Sequence, residues 1–138
     1  MEKKCEKKRY AGKIILLCVA LFFVIAFSIA FYRLDQINKL ESFKSEYGTL
    51  VTNLPSYKYV DSQKYIRDGK LCIAYRVVVK KNLSDNDLYK IFYNVCNDNY
   101  YLHTIWFYSD SKKAGNSEYD VAMLDETDRS KWPEITRP

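Results

Sequence analysis

The sequence predicts an α+β protein: an N-terminal transmembrane helix followed by a small β-α-β-β domain, with one helix packed on a mixed three- or four-stranded sheet. Three observations predict this fold. An uncharged apolar run covers residues 14–32. A strand in which one alternating set of residues is richer in apolar side chains covers residues 71–80. A capped amphipathic helix and two further strand-like segments follow it. Because a strand–helix–strand unit crosses over right-handed, its two strands are expected to be parallel.

The apolar run predicts a membrane span. It contains 19 residues, of which 13 are Ile, Leu, Val or Phe. A helix of that length measures about 28 Å, close to the hydrocarbon core of a bilayer at about 30 Å. Residues 1–13 form a basic tail of net charge +4, whereas residues 33–138 carry a net charge of only +1. The positive-inside rule therefore predicts a single-pass protein of the cell membrane, with a cytoplasmic N-terminus and an extracytoplasmic C-terminal domain.

Cleavage after Ala30 is the alternative to an uncleaved anchor. Ser28 and Ala30 are small residues with the spacing of a signal-peptidase site. Signal peptides have apolar cores of about 7–15 residues, whereas this run fills a bilayer, so we favour the anchor. In the alternative, the mature chain is a secreted small binding, inhibitor or immunity-type protein.

Residues 33–56 predict a juxtamembrane helix followed by a linker. Gly48 is the expected end of this helix. Its apolar side chains are expected to pack on the following domain or to belong to a rigid spacer. They recur every three residues, at Leu34, Ile37, Leu40 and Phe43.

Residues 57–132 predict the extracytoplasmic domain. Residues 57–66 favour one or two short strands, and Asp68-Gly69 predicts a tight turn because Gly accepts positive φ. In the strand that follows, one alternating set is richer in apolar side chains and is expected to face the core. That set comprises Leu71, Ile73, Tyr75, Val77 and Val79.

A helix is expected to begin at Ser84. Ser84 is a good N-cap with Asp87 three residues later, and Leu83 and Leu88 are placed to form a hydrophobic staple across it. The helix should end at residues 97–99. Strands are expected at residues 101–108 and 119–124, a charged segment covers residues 125–138, and residues 133–138 form a tail.

These motifs resemble a family of small uncharacterised extracytoplasmic domains of bacterial membrane-anchored or secreted proteins. The resemblance rests on the strand 75–79, the helix start at Leu83-Ser84, the strand 105–110 and the strand 121–123. It covers about residues 57–132. Met123 departs from the pattern, since the family tends to have a second Ala there. The resemblance implies a βαββ fold and a location outside the cytoplasm, and it implies no activity.

No group of residues predicts catalysis, a cofactor or a metal site, and we expect the protein not to be an enzyme. His103 is the only histidine, so it cannot build a zinc site alone, and we expect it to be a surface or hydrogen-bonded strand residue. Cys72 and Cys96 are the candidates for a disulfide, with two small buried thiols as the alternative, because the two residues are expected on opposite sides of the sheet.

Tyrosines mark the candidate binding surface, because tyrosine is favoured at protein interfaces and in strands alike. The set comprises Tyr57, Tyr59, Tyr65, Tyr100, Tyr101 and Tyr108. We expect a binding face on the side of the sheet away from the helix. Because the excess positive charge lies in residues 1–13, it indicates topology and not nucleic-acid binding. The expected partners are the membrane and another protein, in an oligomeric state that the sequence leaves open.

Overall fold

The computed structural model describes residues 2–47, 53–115 and 118–138. The chain forms two compact units, residues 1–38 and residues 39–138. The first helix, α1, covers Glu2–Tyr47 and begins in the first unit. The remaining elements belong to the second unit.

Helix α1 contains one segment long and apolar enough to cross a membrane, Lys13–Glu46. None of its most apolar window is buried in the protein. A signal sequence passes the same test of length and composition, so this finding fits an anchor and a cleaved leader equally. The predicted apolar helix and juxtamembrane helix are one continuous helix, because neither Gly nor Pro occurs between residues 13 and 47. The predicted helix end at Gly48 lies outside the described residues.

Strands β1 (Tyr57–Arg67) and β2 (Lys70–Val79) form an antiparallel hairpin. The predicted turn at Asp68-Gly69 is confirmed. Both residues have positive φ, 52° and 73°, as a two-residue hairpin turn of type I′ requires. The alternation predicted for β2 is confirmed at four positions and wrong at Leu71, which is 50% exposed. Leu71 pairs with Ile66, which is also exposed, so the end of the hairpin extends past the core.

Helix α2 covers Asp85–Val95. Its predicted cap is confirmed: the Ser84 hydroxyl oxygen accepts a hydrogen bond from the Asp87 backbone N–H at 3.1 Å. The Ser84 hydroxyl donates in turn to the Asp87 carboxylate at 2.8 Å. The first of these bonds satisfies one of the backbone donors that the first turn of a helix leaves free, and the second fixes the hydroxyl in place.

The sheet has five strands in the order β1-β2-β3-β4-β5, where β3 is His103–Tyr108, β4 is Ala122–Asp125 and β5 is Glu134–Thr136. Strands β2 and β3 are parallel, and the other neighbours are antiparallel. The predicted count of three or four strands and the predicted tail at 133–138 are wrong. The tail holds one apolar residue, Ile135, which packs against the core while β5 pairs with β4. Strand β5 therefore depends on its tertiary contacts, and the sequence pattern of residues 134–136 alone does not predict it.

One apolar core serves the second unit. It joins α2 side chains such as Phe92 to alternate residues of β2, β3 and β4, such as Val77, Phe107 and Leu124. Leu40 and Phe43, from the end of α1, pack against the same core, as the stripe predicts. We call this side of the sheet the core face and the opposite side the open face.

Candidate functional site

Two polar networks lie on opposite faces of the sheet and begin at adjacent residues. His103 and Thr104 are the first residues of β3, and Asp125 is the last residue of β4, directly followed by Glu126. Because side chains alternate along a strand, His103 lies on the core face and Thr104 on the open face. Thr104 pairs with Asp125 across the sheet, while the Glu126 backbone N–H donates to the His103 carbonyl at 2.9 Å.

The open-face network links three strands. The guanidinium of Arg67 donates to both oxygens of the Asp125 carboxylate at 3.2 Å. The Thr104 hydroxyl donates to Asp125 Oδ1 at 2.6 Å, and the Thr104 and Tyr65 hydroxyls lie 3.0 Å apart. One arginine nitrogen, Arg67 Nη2, makes both contacts with the carboxylate, and the Thr104 hydroxyl binds the same carboxylate, so the network connects the side chains of the open face.

A groove of about 280 Å³ lies on the open face. Ala74, Trp106 and Met123 contribute its apolar lining, and Gln63 and the open-face network contribute its polar lining. The Arg76 guanidinium lies 5.1 Å from the centre of the Trp106 ring and also binds Asp61 at 2.9 Å. The groove therefore combines a half-buried tryptophan with Arg67, while Arg76 lies beside the tryptophan, and both arginines are already paired with carboxylates.

The core-face network centres on His103, whose side chain is only 4% exposed. Its Nδ1 lies 2.9 Å from Glu126 Oε2, and its Nε2 lies 2.8 Å from Asp98 Oδ1. Its backbone N–H donates to the same Glu126 oxygen at 3.2 Å, and the Tyr75 hydroxyl donates to Asp98. The expectation of a hydrogen-bonded strand residue is confirmed, and that of a surface residue is wrong.

The two carboxylates determine the protonation of the His103 ring. Burial alone would lower the pKa of His103, but the hydrogen bonds and charges of Glu126 and Asp98 raise it above 6.5. Burial would raise the pKa of Asp98, but hydrogen bonds from Tyr75 and His103 lower it below 3.8. Both partners accept hydrogen bonds, so an imidazolium that donates from both nitrogens satisfies the network. The ring then has no free nitrogen with which to take a proton from a substrate.

A cavity of about 200 Å³ adjoins the core-face network. His103, Asp98 and Glu126 line it together with Tyr93, and Lys44 and Arg129 contribute cationic side chains. The Tyr93 hydroxyl is the one buried side-chain polar atom without a hydrogen-bond partner in the described part of the chain. Burial also raises the pKa of Tyr93, so this group stays a neutral hydroxyl. Leaving such a group unpaired costs about 1–3 kcal/mol.

Within residues 2–47, 53–115 and 118–138, no group of three or more His, Cys, Asp or Glu side chains is placed to hold a metal ion. Glu126 and Asp98 lie on either side of the imidazole, and His103 bridges them.

Cys72 and Cys96 are free thiols in the structure. Cys72 lies on the open-face side of β2, where it pairs with Tyr65, whereas Cys96 caps the end of α2. The sheet therefore separates the two residues. The alternative to the disulfide was two small buried thiols; Cys72 is buried, whereas Cys96 is only partly buried. Burial raises the pKa of the Cys96 thiol well above its usual value, which disfavours the reactive thiolate.

The six predicted tyrosines do not form one surface. Tyr65 alone lines the open-face groove. Tyr108 is buried, and Tyr57 and Tyr100 pack against the core. Tyr59 and Tyr101 are exposed, at 50% and 43%, but Tyr59 contacts the ring of Tyr75 on the core face.

Sequence reasoning missed most residues of both networks. Trp106, Arg67 and Asp125 line the groove, and Asp98 and Glu126 hold His103. The alternation of β3 carries a usable signal for the groove, since placing Ile105 and Phe107 in the core puts Thr104 and Trp106 on the other face. No comparable signal exists for Glu126, because it follows a strand within a charged segment.

No protein-family model, curated protein or solved structure matches this chain. The resemblance to a family of extracytoplasmic domains therefore stays a prediction.

Proposed function

We propose that this protein is a single-pass membrane-anchored binding protein whose extracytoplasmic domain docks another protein on its open face. The observation that carries the proposal is the open-face groove around Trp106. In this proposal, β2, α2, β3 and β4 form a β-α-β-β unit, β1 and β5 are added at the two edges of its sheet, and α2 packs on the core face.

The composition of the groove supports a protein partner. Tryptophan, methionine and arginine are enriched at protein interfaces, and tryptophan is prominent among the residues that contribute most binding energy. Trp106 and Met123 are each partly exposed, so a partner could bury the remainder of both side chains. The groove admits one apolar side chain of the partner, surrounded by hydrogen-bonding groups.

The charges beside the groove indicate the chemistry of that partner. Arg67 and Arg76 are each paired with an aspartate, Asp125 and Asp61 respectively. A polyanion would have to compete with these carboxylates for the guanidinium groups. A protein surface of low net charge that presents an apolar side chain needs no such exchange, and it is the partner we propose.

The core-face network gives no support to an enzymatic function. Both nitrogens of His103 bind carboxylates, and the Cys96 thiol is held protonated by burial. General-base and thiolate mechanisms both need a free, deprotonated group. We therefore propose a binding protein and not an enzyme.

Site-specific photo-cross-linking tests the docking face. A photoreactive amino acid at position 63, an exposed position in the groove, should yield a covalent adduct with a second membrane or envelope protein in intact cells. The same group at position 86, an exposed position on α2, is the matched control. Equal adducts from both positions, or an adduct consisting only of two copies of this chain, would contradict the proposal.

Thiol labelling tests the proposed orientation. The substitution Thr127→Cys introduces a thiol at an exposed position of the domain. A membrane-impermeant maleimide should label this residue in intact cells and should label Cys5 only after lysis. Labelling of Cys5 alone in intact cells would place the domain in the cytoplasm.

Cleavage after Ala30 is the competing form of the proposal, in which the domain acts as a secreted binding protein. Its support is the pair of small residues Ser28 and Ala30. N-terminal sequencing of the mature protein distinguishes the two forms. A start at residue 31 rules out the anchor, whereas an intact basic tail supports it.

A further inference from the structure

We propose that the tip of the β1–β2 hairpin inserts into the lipid headgroup region of the membrane that anchors the chain. The hairpin tip comprises residues 66–71 together with Tyr101, which lies beside them. It is a second contact surface of the domain, and its partner is lipid and not protein. The proposal rests on the proposed membrane anchor and does not depend on docking at the open face.

Exposed apolar side chains are concentrated at the hairpin tip. After α1, four large aliphatic or tyrosine side chains of the described residues are exposed, and three of them belong to the tip. Ile66 is 74% exposed, Leu71 50% and Tyr101 43%. Ile66 and Leu71 pair across the hairpin, and the Tyr101 backbone N–H donates to the Leu71 carbonyl at 3.0 Å. The three side chains therefore form one apolar surface, and such a surface marks a contact site when it is exposed.

Lysines lie beside this apolar surface. Lys70 Nζ lies 3.8 Å from the centre of the Tyr101 ring, and Lys64 Nζ lies 5.3 Å from the centre of the Tyr100 ring. Neither ammonium group is paired with a carboxylate in the described part of the chain. Residues 64–71 contain three cationic residues and one acidic residue. A membrane surface presents phosphate groups above an apolar layer, so it complements both the lysines and the apolar side chains.

The short connection to the apolar run favours lipid over a protein partner at this tip. Leu40, which is buried in the core of the second unit, follows Tyr32 by only eight residues. Eight residues span at most about 28 Å even when the chain is fully extended. In an anchored chain the membrane surface is therefore always within reach of the domain, whereas a protein partner has to diffuse to it. Such a tether populates a contact that would be weak for a free domain.

Lipid quenching of a fluorescent amino acid tests the contact in the full chain. The chain is reconstituted into vesicles of phosphatidylcholine and phosphatidylglycerol, part of which carry a nitroxide on the acyl chain. A fluorescent amino acid at position 66 should lose at least about half of its emission, because interfacial side chains are buried about 5–10 Å into the boundary between headgroups and acyl chains. Position 81 is the matched control, since it is exposed and lies about 30 Å from the tip, one length of β2.

Flotation of the vesicles in a density gradient tests the anchor separately. A chain that does not float contradicts the anchor and this proposal together. A floating chain with equal quenching at positions 66 and 81 contradicts insertion of the hairpin tip alone. Emission at position 66 that shifts to the blue without quenching means that protein covers the tip, and it also overturns the proposal.

A charge placed in the apolar surface should withdraw the tip from lipid. Leu71→Glu changes a half-exposed side chain outside the core, so the domain should fold, as circular dichroism checks. We expect quenching at position 66 to fall at least about threefold, because a charged side chain disfavours the apolar layer. Ser111→Glu adds the same charge at an exposed position after β3 and should leave the quenching unchanged. Full quenching at position 66 in Leu71→Glu would overturn the proposal.

Discussion

The open-face and core-face networks use similar chemistry from adjacent residues, but they differ in burial. In the open-face pair, the Arg67 and Asp125 side chains are 35% and 20% exposed. In the core-face pair, His103 and Glu126 are each 4% exposed. The first pair is partly exposed and the second is almost fully buried, so breaking the second leaves a buried charge without its partner. We infer that the core-face network holds the fold, whereas the open-face network positions a surface.

The two networks should differ most in how much the free energy of unfolding falls when the central side chain of each is removed. We expect His103→Ala to lower the free energy of unfolding by about 3–5 kcal/mol, since it leaves the buried carboxylate of Glu126 without its cationic partner. Thr104→Ala, the adjacent residue on the other face, should cost about 1–2 kcal/mol, the value of its hydrogen bonds. Urea titration of the full chain in micelles, followed by tryptophan fluorescence, measures both. Equal losses would remove the distinction between the two networks.

The second largest difference is expected in how stability depends on pH, because the core-face network contains the groups with shifted pKa values. The pKa of His103 is raised in the folded protein, so its contribution is fully present below about pH 6.5 and is lost as pH rises through the raised pKa. The pKa of Asp98 is lowered, so its contribution is present above about pH 4 and is lost as pH falls through the lowered pKa.

The core-face network should therefore stabilise the domain most between about pH 4 and pH 6.5. Melting temperatures across this range and above it measure the effect, with His103→Gln as the comparison. We expect the wild-type protein to lose stability above pH 6.5 relative to His103→Gln. A constant difference between the two proteins from pH 5 to pH 9 would show that His103 does not change protonation there.

Breaking the open-face ion pair should have the smallest effect on stability. Asp125→Asn removes the charge opposite Arg67 and keeps an oxygen for the Thr104 hydroxyl. We expect a loss of about 1 kcal/mol or less, because partly solvated ion pairs contribute little. The same urea titration measures it. A loss as large as that of His103→Ala would mean that the open face is also part of the structural core.

Local patterns predicted the elements whose cause is local. The Asp68-Gly69 turn needs positive φ, the Ser84 cap satisfies a helix donor, and the more apolar set of β2 supplies core side chains from Ile73 to Val79. Strand β5 was missed, because three residues with one apolar side chain carry no signal until β4 lies beside them.

The sites were harder to predict than the elements. His103 receives its partners from positions 98 and 126, on either side of it in the chain, and no spacing rule connects them. The tyrosine count indicated a surface, but burial removes Tyr108 from it and leaves Tyr65 as its one member in the groove. Composition identifies residue types that suit an interface, and only the register of the sheet decides which of them share a face.

Photo-cross-linking from position 63, repeated in two variants, tests most directly whether the open face is the docking surface. Trp106→Ala removes the aromatic side chain of the groove, and His103→Gln alters the opposite face. At matched amounts of folded protein, we predict that Trp106→Ala loses the adduct by at least about tenfold, as expected for a central interface residue, and that His103→Gln keeps it. An adduct that persists in Trp106→Ala, or that disappears in His103→Gln alone, would contradict this account.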